Sequence, residues 1–254
     1  MEKPKISVAL ATFNEEKNLP VCLDSVKGLA EEIVVVDGGS TDKTVEIAQK
    51  HGAKVIATTN KPIFHINKQM AIDACRGDWI LQLDADEQVT PALHKEILET
   101  VAITRLDGFW LPRKNYFLGR YLTKGGQYPD YTLRLYRRGK GRLPCKSVHE
   151  QAVVEGKAGY LKNDLLHNAD PTFKRYLERN SRYINLIVEE LRQQKVKKNL
   201  IQFLNYFLIK PFHWFFLTTI RHKGIFDGIQ GVIFSFFSAL RFPRAYWRYL
   251  KRKK

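Results

Sequence analysis

The sequence predicts an α/β protein, with a mostly parallel sheet and helices on both faces, followed by a basic, aromatic, helical appendage. Three observations predict it. Short apolar runs rich in β-branched residues alternate with stretches of helical apolar spacing through the first hundred residues. Each run ends in a polar loop, as strands of a parallel sheet do where the chain turns into a crossover. Charge is also divided unevenly: residues 171–254 hold 18 Lys+Arg against 4 Asp+Glu and so carry +14 of the formal +16, while the first 170 are nearly neutral. A basic segment of this kind seeks phosphate, whether of nucleic acid or of anionic lipid.

ISVALAT (6–12) reads as a buried strand. Asn18 to Leu29 then sets Leu19, Cys22, Leu23, Val26 and Leu29 at helical spacing, and EEIVVVDGGSTD (31–42) forms a second strand that stops at GGS. A helix over Thr44 to His51, the strand AKVIA (53–57), a helix over Asn67 to Ala74 and the strand DWILQLD (78–84) continue the alternation. Thr90 followed by Pro91 has the form of an N-cap and first helical residue for PALHKEILETV. Beyond about residue 105, GFWLPRKNYFLG and GGQYPDYTLRLYRRG predict antiparallel strands and long loops. From Pro171 helical spacing resumes in FKRYLERNSRYINLIVEELRQQ. LIQFLNYFLIKPFHWFFLTTI (200–220) and GIFDGIQGVIFSFFSALRF are strongly apolar, yet Lys210, Pro211 and His213 interrupt the first, which predicts interfacial helices over spanning ones.

A composition of 44% hydrophobic and 27% charged residues excludes wholesale disorder. Cys22, Cys75 and Cys145 have no CxxC or metal-type spacing, so neither a disulfide framework nor a zinc site is predicted, and a reducing cytoplasm fits. The opening MEKPKISVALATFNEE meets acids too early for the apolar core of a signal peptide, and export is not expected. Without an RNP-type or other recognisable nucleic-acid module, the basic tail is assigned to lipid, and no nucleic-acid partner is expected.

In open parallel sheets ligands bind beyond the carboxyl ends of the strands. Thr12 to Glu15, Asp37 to Ser40 and Asp84 to Gln88 each follow a strand and are expected to line one crevice. In DWILQLDADEQ the acids Asp84, Asp86 and Glu87 crowd together, and their repulsion calls for something positive. Two carboxylates one residue apart offer hard oxygen ligands to Mg²⁺ or Mn²⁺ while leaving room for a substrate diphosphate. The plainer alternative is a solvated acidic loop before a helix.

VALATFNEEKNLPVCLDSV, VVVDGGSTDKTVEIA and DWILQLDADE, in this order, resemble the family 2 glycosyltransferases, which have the Rossmann-like GT-A fold and use nucleotide-diphosphate sugars. YPDYTLRLYRRGKG, SVHEQ and the basic tail are similar to the branch that includes the lipopolysaccharide core glucosyltransferases of Gram-negative bacteria. The resemblance implies that Thr12, Asn14 and Glu15 hold the nucleotide base and ribose, that Asp37 contacts the base and that Lys68 approaches the diphosphate. It places Asp84 near ribose and metal and makes Asp86 the direct metal ligand; Gln88 matches a metal-binding glutamine of the polyprenyl-phosphate sugar transferases. Arg134 and Arg137 are candidates for binding diphosphate or acceptor phosphate, His149 for the metal or diphosphate, and Trp110, Tyr116 and Tyr128 for stacking on a sugar ring.

Inverting transfer needs a carboxylate to take the proton of the acceptor hydroxyl. Asp130 and Glu150 are the candidates, and the resemblance favours Asp130, because in family 2 an acid shortly before an apolar strand commonly supplies the base and Asp130 holds that place before YTLRLY. The expected organisation is a catalytic domain over 1–170, split into a nucleotide-sugar half (1–104) and an acceptor half (105–170), with a membrane-association region over 171–254. The expected reaction is metal-dependent transfer of a hexose, with UDP-glucose as donor, to a lipid-linked saccharide such as lipopolysaccharide core. It would take place on the anionic cytoplasmic face of the inner membrane, with the protein peripheral or monotopic. The alternatives are a polyprenyl-phosphate sugar transferase and a non-catalytic protein that binds nucleotide sugar or anionic lipid.

Overall fold

The structure, a computed structural model, describes residues 3–145 and 151–251. The chain divides into two compact units, one of residues 1–113 with 130–167 and one of residues 114–129 with 168–254.

The first unit opens with β1 (Ile6–Thr12), buried almost throughout because it becomes a central strand with both faces covered. Helix α1 (Leu19–Ser25) follows, with Pro20 in its first turn, where a missing N–H costs nothing. Then come β2 (Glu32–Asp37), α2 (Thr44–Lys50), β3 (Lys54–Ala57), α3 (His65–Asp73) and β4 (Trp79–Asp84). The expected alternation is therefore present, with helix ends shifted by a few residues. A short strand β5 (Glu87–Val89), absent from the sequence reading, precedes α4 (Pro91–Ile103). Thr90 caps α4 as expected, its Oγ1 accepting from the Leu93 N–H at 3.2 Å.

The long strand β6 (Gly108–Phe117) crosses the boundary between the units, and its end turns back through β7 (Arg120–Tyr121). The first unit resumes with β8 (Asp130–Arg137), β9 (Gly141–Arg142), β10 (Val153–Val154), β11 (Ala158–Tyr160) and β12 (Leu165–Asp170), the last running to the boundary and beyond. The main sheet runs β3-β2-β1-β4-β8-β6-β12-β5. Pairing is parallel from β3 to β4 and antiparallel from β4 through β8 to β6, as the change of sequence style after residue 105 predicts. One core cluster, including Leu10, Leu23, Leu83, Leu93 and Ile97, fills the side under α1 and α4, and a second, including Val34, Val36, Ile72 and Tyr136, lies under α3.

The second unit is mostly helical. Helix α5 (Phe173–Gln193) is capped by Thr172, whose Oγ1 accepts from the Arg175 N–H at 3.3 Å. A run of helix then contains α6 (Leu200–Leu204), a π-helical turn over Asn205–Ile209, α7 (Lys210–Phe216) and a second π-helical turn over Leu217–Arg221. Helices α8 (Gly228–Ala239) and α9 (Arg241–Lys251) complete it. Phe117, Leu122 and Tyr176 form one core here, with Phe234 and Phe237 packed against it. Buried Asp227 accepts from the N–H groups of Thr123 and Lys124 and from the Thr123 hydroxyl, at 2.7–2.9 Å. Residues 114–129, expected within the acceptor half, thus cluster with the helices. Tyr116 packs edge-on against Tyr121, and Tyr128 lies under the Lys114 ammonium.

Candidate active site

Strand register builds the site. In the parallel pairs Thr12 lies opposite Asp37 and Ala11 opposite Asp84, so the loops after β1, β2 and β4 leave the same edge of the sheet. The first two loops are stitched together. The Thr12 hydroxyl donates to Asp37 Oδ1 at 3.1 Å, and Asp37 Oδ2 accepts from the N–H groups of Gly39 and Ser40 at 3.0 and 2.8 Å. Asn14 takes a left-handed backbone (φ 55°), which lets its Oδ1 accept from the Thr41 N–H and its own N–H reach Ser40 Oγ, both at 2.8 Å. The Glu15 N–H donates to the Thr44 hydroxyl at 2.8 Å. Asp37 and Asp42 both serve the turn, in keeping with the turn chemistry of DGGSTD.

The crowding of acids after β4 is answered by the protein's own cations. The Asp84 carboxylate pairs with Lys68 from α3 through Oδ1, and with Arg134 from β8 through Oδ2 at 2.6 Å. Burial would raise the Asp84 carboxyl, but Arg134 and Lys68 outweigh it and hold the group well below the usual carboxylate range. Glu87, whose side chain has 0% exposure, accepts from the Asp84 N–H at 2.9 Å, from Arg134 at 2.7 Å and from Arg113 at 3.2 Å. Arg113 in turn donates from Nε and Nη2 to Asp130 Oδ2 at 3.0 and 2.7 Å, across the register pair that begins β8. Arg134 also donates to Gln82 Oε1. Three carboxylates, Asp84, Glu87 and Asp130, thus meet three cations, Lys68, Arg113 and Arg134.

Asp86 faces a different partner. Antiparallel pairing of β12 with β5 puts His167 opposite Glu87, and His167 Nε2 lies 3.5 Å from Asp86 Oδ1. A carboxylate oxygen suits Mn²⁺ or Mg²⁺, and an imidazole nitrogen beside it favours a transition ion such as Mn²⁺ over Mg²⁺. Among the described residues no group of three His, Cys, Asp or Glu gathers to hold an ion. Gln88 lies in β5 opposite Leu166, one residue beyond the Glu87–His167 pair. His149 and Glu150 lie outside the described residues.

Two placements differ from what the sequence suggests. Arg134 is buried and turned into the acidic loop, whereas Arg137, three residues on, donates to the carbonyls of Leu106 and Thr104 at 3.1 and 2.8 Å and stacks over Trp79. The two arginines thus contact different parts of the sheet. Trp110 borders a largely apolar cavity of about 560 Å³ with Leu133, Gln151 and Val154, and its ring stacks with Tyr160 at 6.3 Å. His167, Arg113 and the linking role of Glu87 escaped sequence reading. Glu87 stands in the quoted acidic run, but His167 and Arg113 carry no local signal, because strand pairing alone brings them there.

The family model described as glycosyl transferase family 2 matches residues 7–162, more than half of the chain. The chain belongs to this family. It is a glycosyltransferase with the GT-A fold. It is 31% identical over 195 residues to the lipopolysaccharide core biosynthesis glycosyltransferase LpsC of Rhizobium meliloti (strain 1021), covering 74% of this chain and 72% of that one. An uncharacterized glycosyltransferase of Rickettsia typhi, RT0209, is 29% identical over 259 residues, 94% of this chain and 86% of the relative. Among solved structures, residues 1–349 of S. aureus TarS superpose with a TM-score of 0.51 at 15% identity, over 96% of this chain and 91% of that one, a likeness of fold.

Proposed function

We propose that this glycosyltransferase moves a hexose, with inversion, from a nucleotide-diphosphate sugar to a lipid-linked saccharide of the lipopolysaccharide core type, at a membrane surface. The acceptor class is supported by similarity to LpsC, and UDP-glucose as donor by the sequence resemblance alone. The observation that carries the reading is the arrangement of the acidic loop: Asp84, Glu87 and Asp130 pair with Lys68, Arg113 and Arg134, and Asp86 lies beside His167.

In this reading the loops after β1 and β2, with Thr12, Asn14, Glu15 and Asp37, hold base and ribose. Asp86 and His167 are the protein's ligands for a divalent cation, with Gln88 and Asp84 beside them. The cation, when bound, neutralises the diphosphate and stabilises charge on the departing nucleotide. Lys68 and Arg134 keep Asp84 ionised and fixed, so the loop is formed before substrate arrives. Arg113 orients Asp130, which takes the proton from the attacking hydroxyl.

Transfer from labelled UDP-glucose with Mn²⁺ tests it. Asp86→Ala and His167→Ala are each expected to raise the Mn²⁺ concentration needed for half-maximal rate by about 10-fold or more. Asp130→Asn is expected to cut kcat by roughly 10²–10⁴-fold with the donor KM little changed. Full activity in Asp130→Asn would remove the base from the scheme and favour a phosphate acceptor, which is nucleophilic without one. Absence of nucleotide-sugar turnover in the unaltered protein, with binding retained, would leave the binding-protein alternative.

A further inference from the structure

From residue 191 to the C-terminus the sequence holds fourteen Lys and Arg and a single acid, Asp227, which is buried under its hydrogen bonds to Thr123 and Lys124. Within this stretch, in a part without acids, runs the helix from α6 through the second π-helical turn. Leu200, Leu204, Leu208, Phe212, Phe216 and Ile220 recur every fourth residue along it, and all are exposed. On an ideal α-helix a step of four overshoots one turn by about 40°, so five steps would wind such a row about 200° round the axis and bury part of it. The two π-helical turns, Asn205–Ile209 and Leu217–Arg221, take more residues per turn and draw the row back. The result is a continuous apolar face, opposite the buried side occupied by Tyr206, Pro211, Thr218 and Thr219.

Charge at the two ends of this face says what covers it. Lys195, Lys197 and Lys198 precede it and Arg221 and Lys223 follow it, all exposed. Lys210, the charge that interrupts the segment in sequence, is turned away from the row, its ammonium 3.9 Å from the centre of the buried Tyr206 ring. A second copy of this chain would meet the same unrelieved positive charge and be repelled. A phospholipid leaflet offers acyl chains to the row and phosphates to both ends together. The helix is held along its length by the rest of its unit, through Tyr206 stacked on Tyr246 and Trp214 Nε1 donating to Ser238 Oγ at 3.1 Å, which suits lying in a leaflet and not threading it.

We infer that residues 200–220 form an in-plane membrane-insertion helix, whose two π-helical turns keep an apolar row facing the acyl chains of an anionic leaflet while the basic residues at its ends bind lipid phosphates. The inference rests on the proposed lipid-linked acceptor only for its purpose; the surface and its partner stand on the geometry above.

The test uses the full-length protein and sedimenting vesicles of phosphatidylcholine alone or mixed with an equal part of phosphatidylglycerol. Binding to the mixed vesicles is expected to exceed binding to neutral ones by about 10-fold or more and to weaken with salt. Leu208→Asp combined with Phe212→Asp should lower it by at least about 10-fold. Transfer to an acceptor stripped of its acyl chains should be unchanged in that variant, which separates this inference from the reading of the reaction. Phe212→Trp should be quenched by acyl chains brominated near the headgroup. Vesicle binding that ignores the double substitution, a Trp that is not quenched, or a solution dimer that the same substitutions dissociate would each overturn the inference. If the double variant unfolds, the quenching of Phe212→Trp decides alone.

Discussion

In the first unit the Glu87 side chain is wholly enclosed against two arginines, whereas in the second Phe212 and Phe226 stand 59% and 70% exposed. The contrast is general. Sixteen of the exposed large hydrophobic side chains described lie in the second unit and nine in the first, although the first is the larger. Buried ions survive in the first unit because sheet register sets each partner within hydrogen-bond reach, so the desolvation of Asp84 and Glu87 is offset by Lys68, Arg113 and Arg134. The second unit instead leaves apolar surface uncovered next to exposed basic side chains, and on that surface rests the leaflet contact inferred above.

The sharpest way to break this comparison is to remove the centre of the buried network. Glu87→Ala leaves Arg113 and Arg134 without their shared partner and is expected to cost about 3–5 kcal/mol in urea unfolding. Transfer activity should fall with it, since the arginine that orients Asp130 loses its own anchor. An apolar row variant in the second unit, such as Leu208→Asp, should leave unfolding within about 0.5 kcal/mol, because the site is already exposed.

A second test exploits the thiols, all of which lie in the first unit. Burial, aided by the Glu32 charge, pushes Cys75 from an ordinary 9.0 up to about 12. Below pH 9 the thiol is protonated in both folded and unfolded chains and its contribution is fully present. Between about pH 9 and 12 only the unfolded chain releases the proton, so stability falls by about 1.4 kcal/mol per pH unit from this group. Unfolding at two alkaline pH values should therefore show a shallower decline in Cys75→Ala than in the parent, and equal slopes would refute the assignment.

A modest effect should be the same in both regions. Thr90→Ala and Thr172→Ala each remove one helix cap, of α4 and α5, and each should cost about 1 kcal/mol by urea unfolding. A much larger loss at either position would mean that the cap also serves its surroundings.

Local pattern made most of the first unit readable. Strands β1, β2 and β4 are apolar runs of seven or six residues closed by polar turns, and the Thr90-Pro91 pair announces α4 directly. The convergence of the loops at Thr12, Asp37 and Asp84 follows from the parallel sheet they imply. By contrast β5 is three residues long and too short to show a period, so the pairing that brings His167 to Asp86 was hidden. The union of residues 114–129 with the helices was equally hidden, since Asp227 recognises Thr123 and Lys124 from about a hundred positions away.

Sequence by itself determined the order of elements, the edge of the sheet where polar loops gather, the acidic run and the basic, apolar end of the chain, because each is written in spacings of a few residues. Only the tertiary structure decided which charges meet: Arg113 with Glu87 and Asp130, Lys68 and Arg134 with Asp84, His167 with Asp86. Those pairings depend on register between strands distant in sequence, and a Coulomb interaction that changes steeply over a few ångströms has no signature in one dimension.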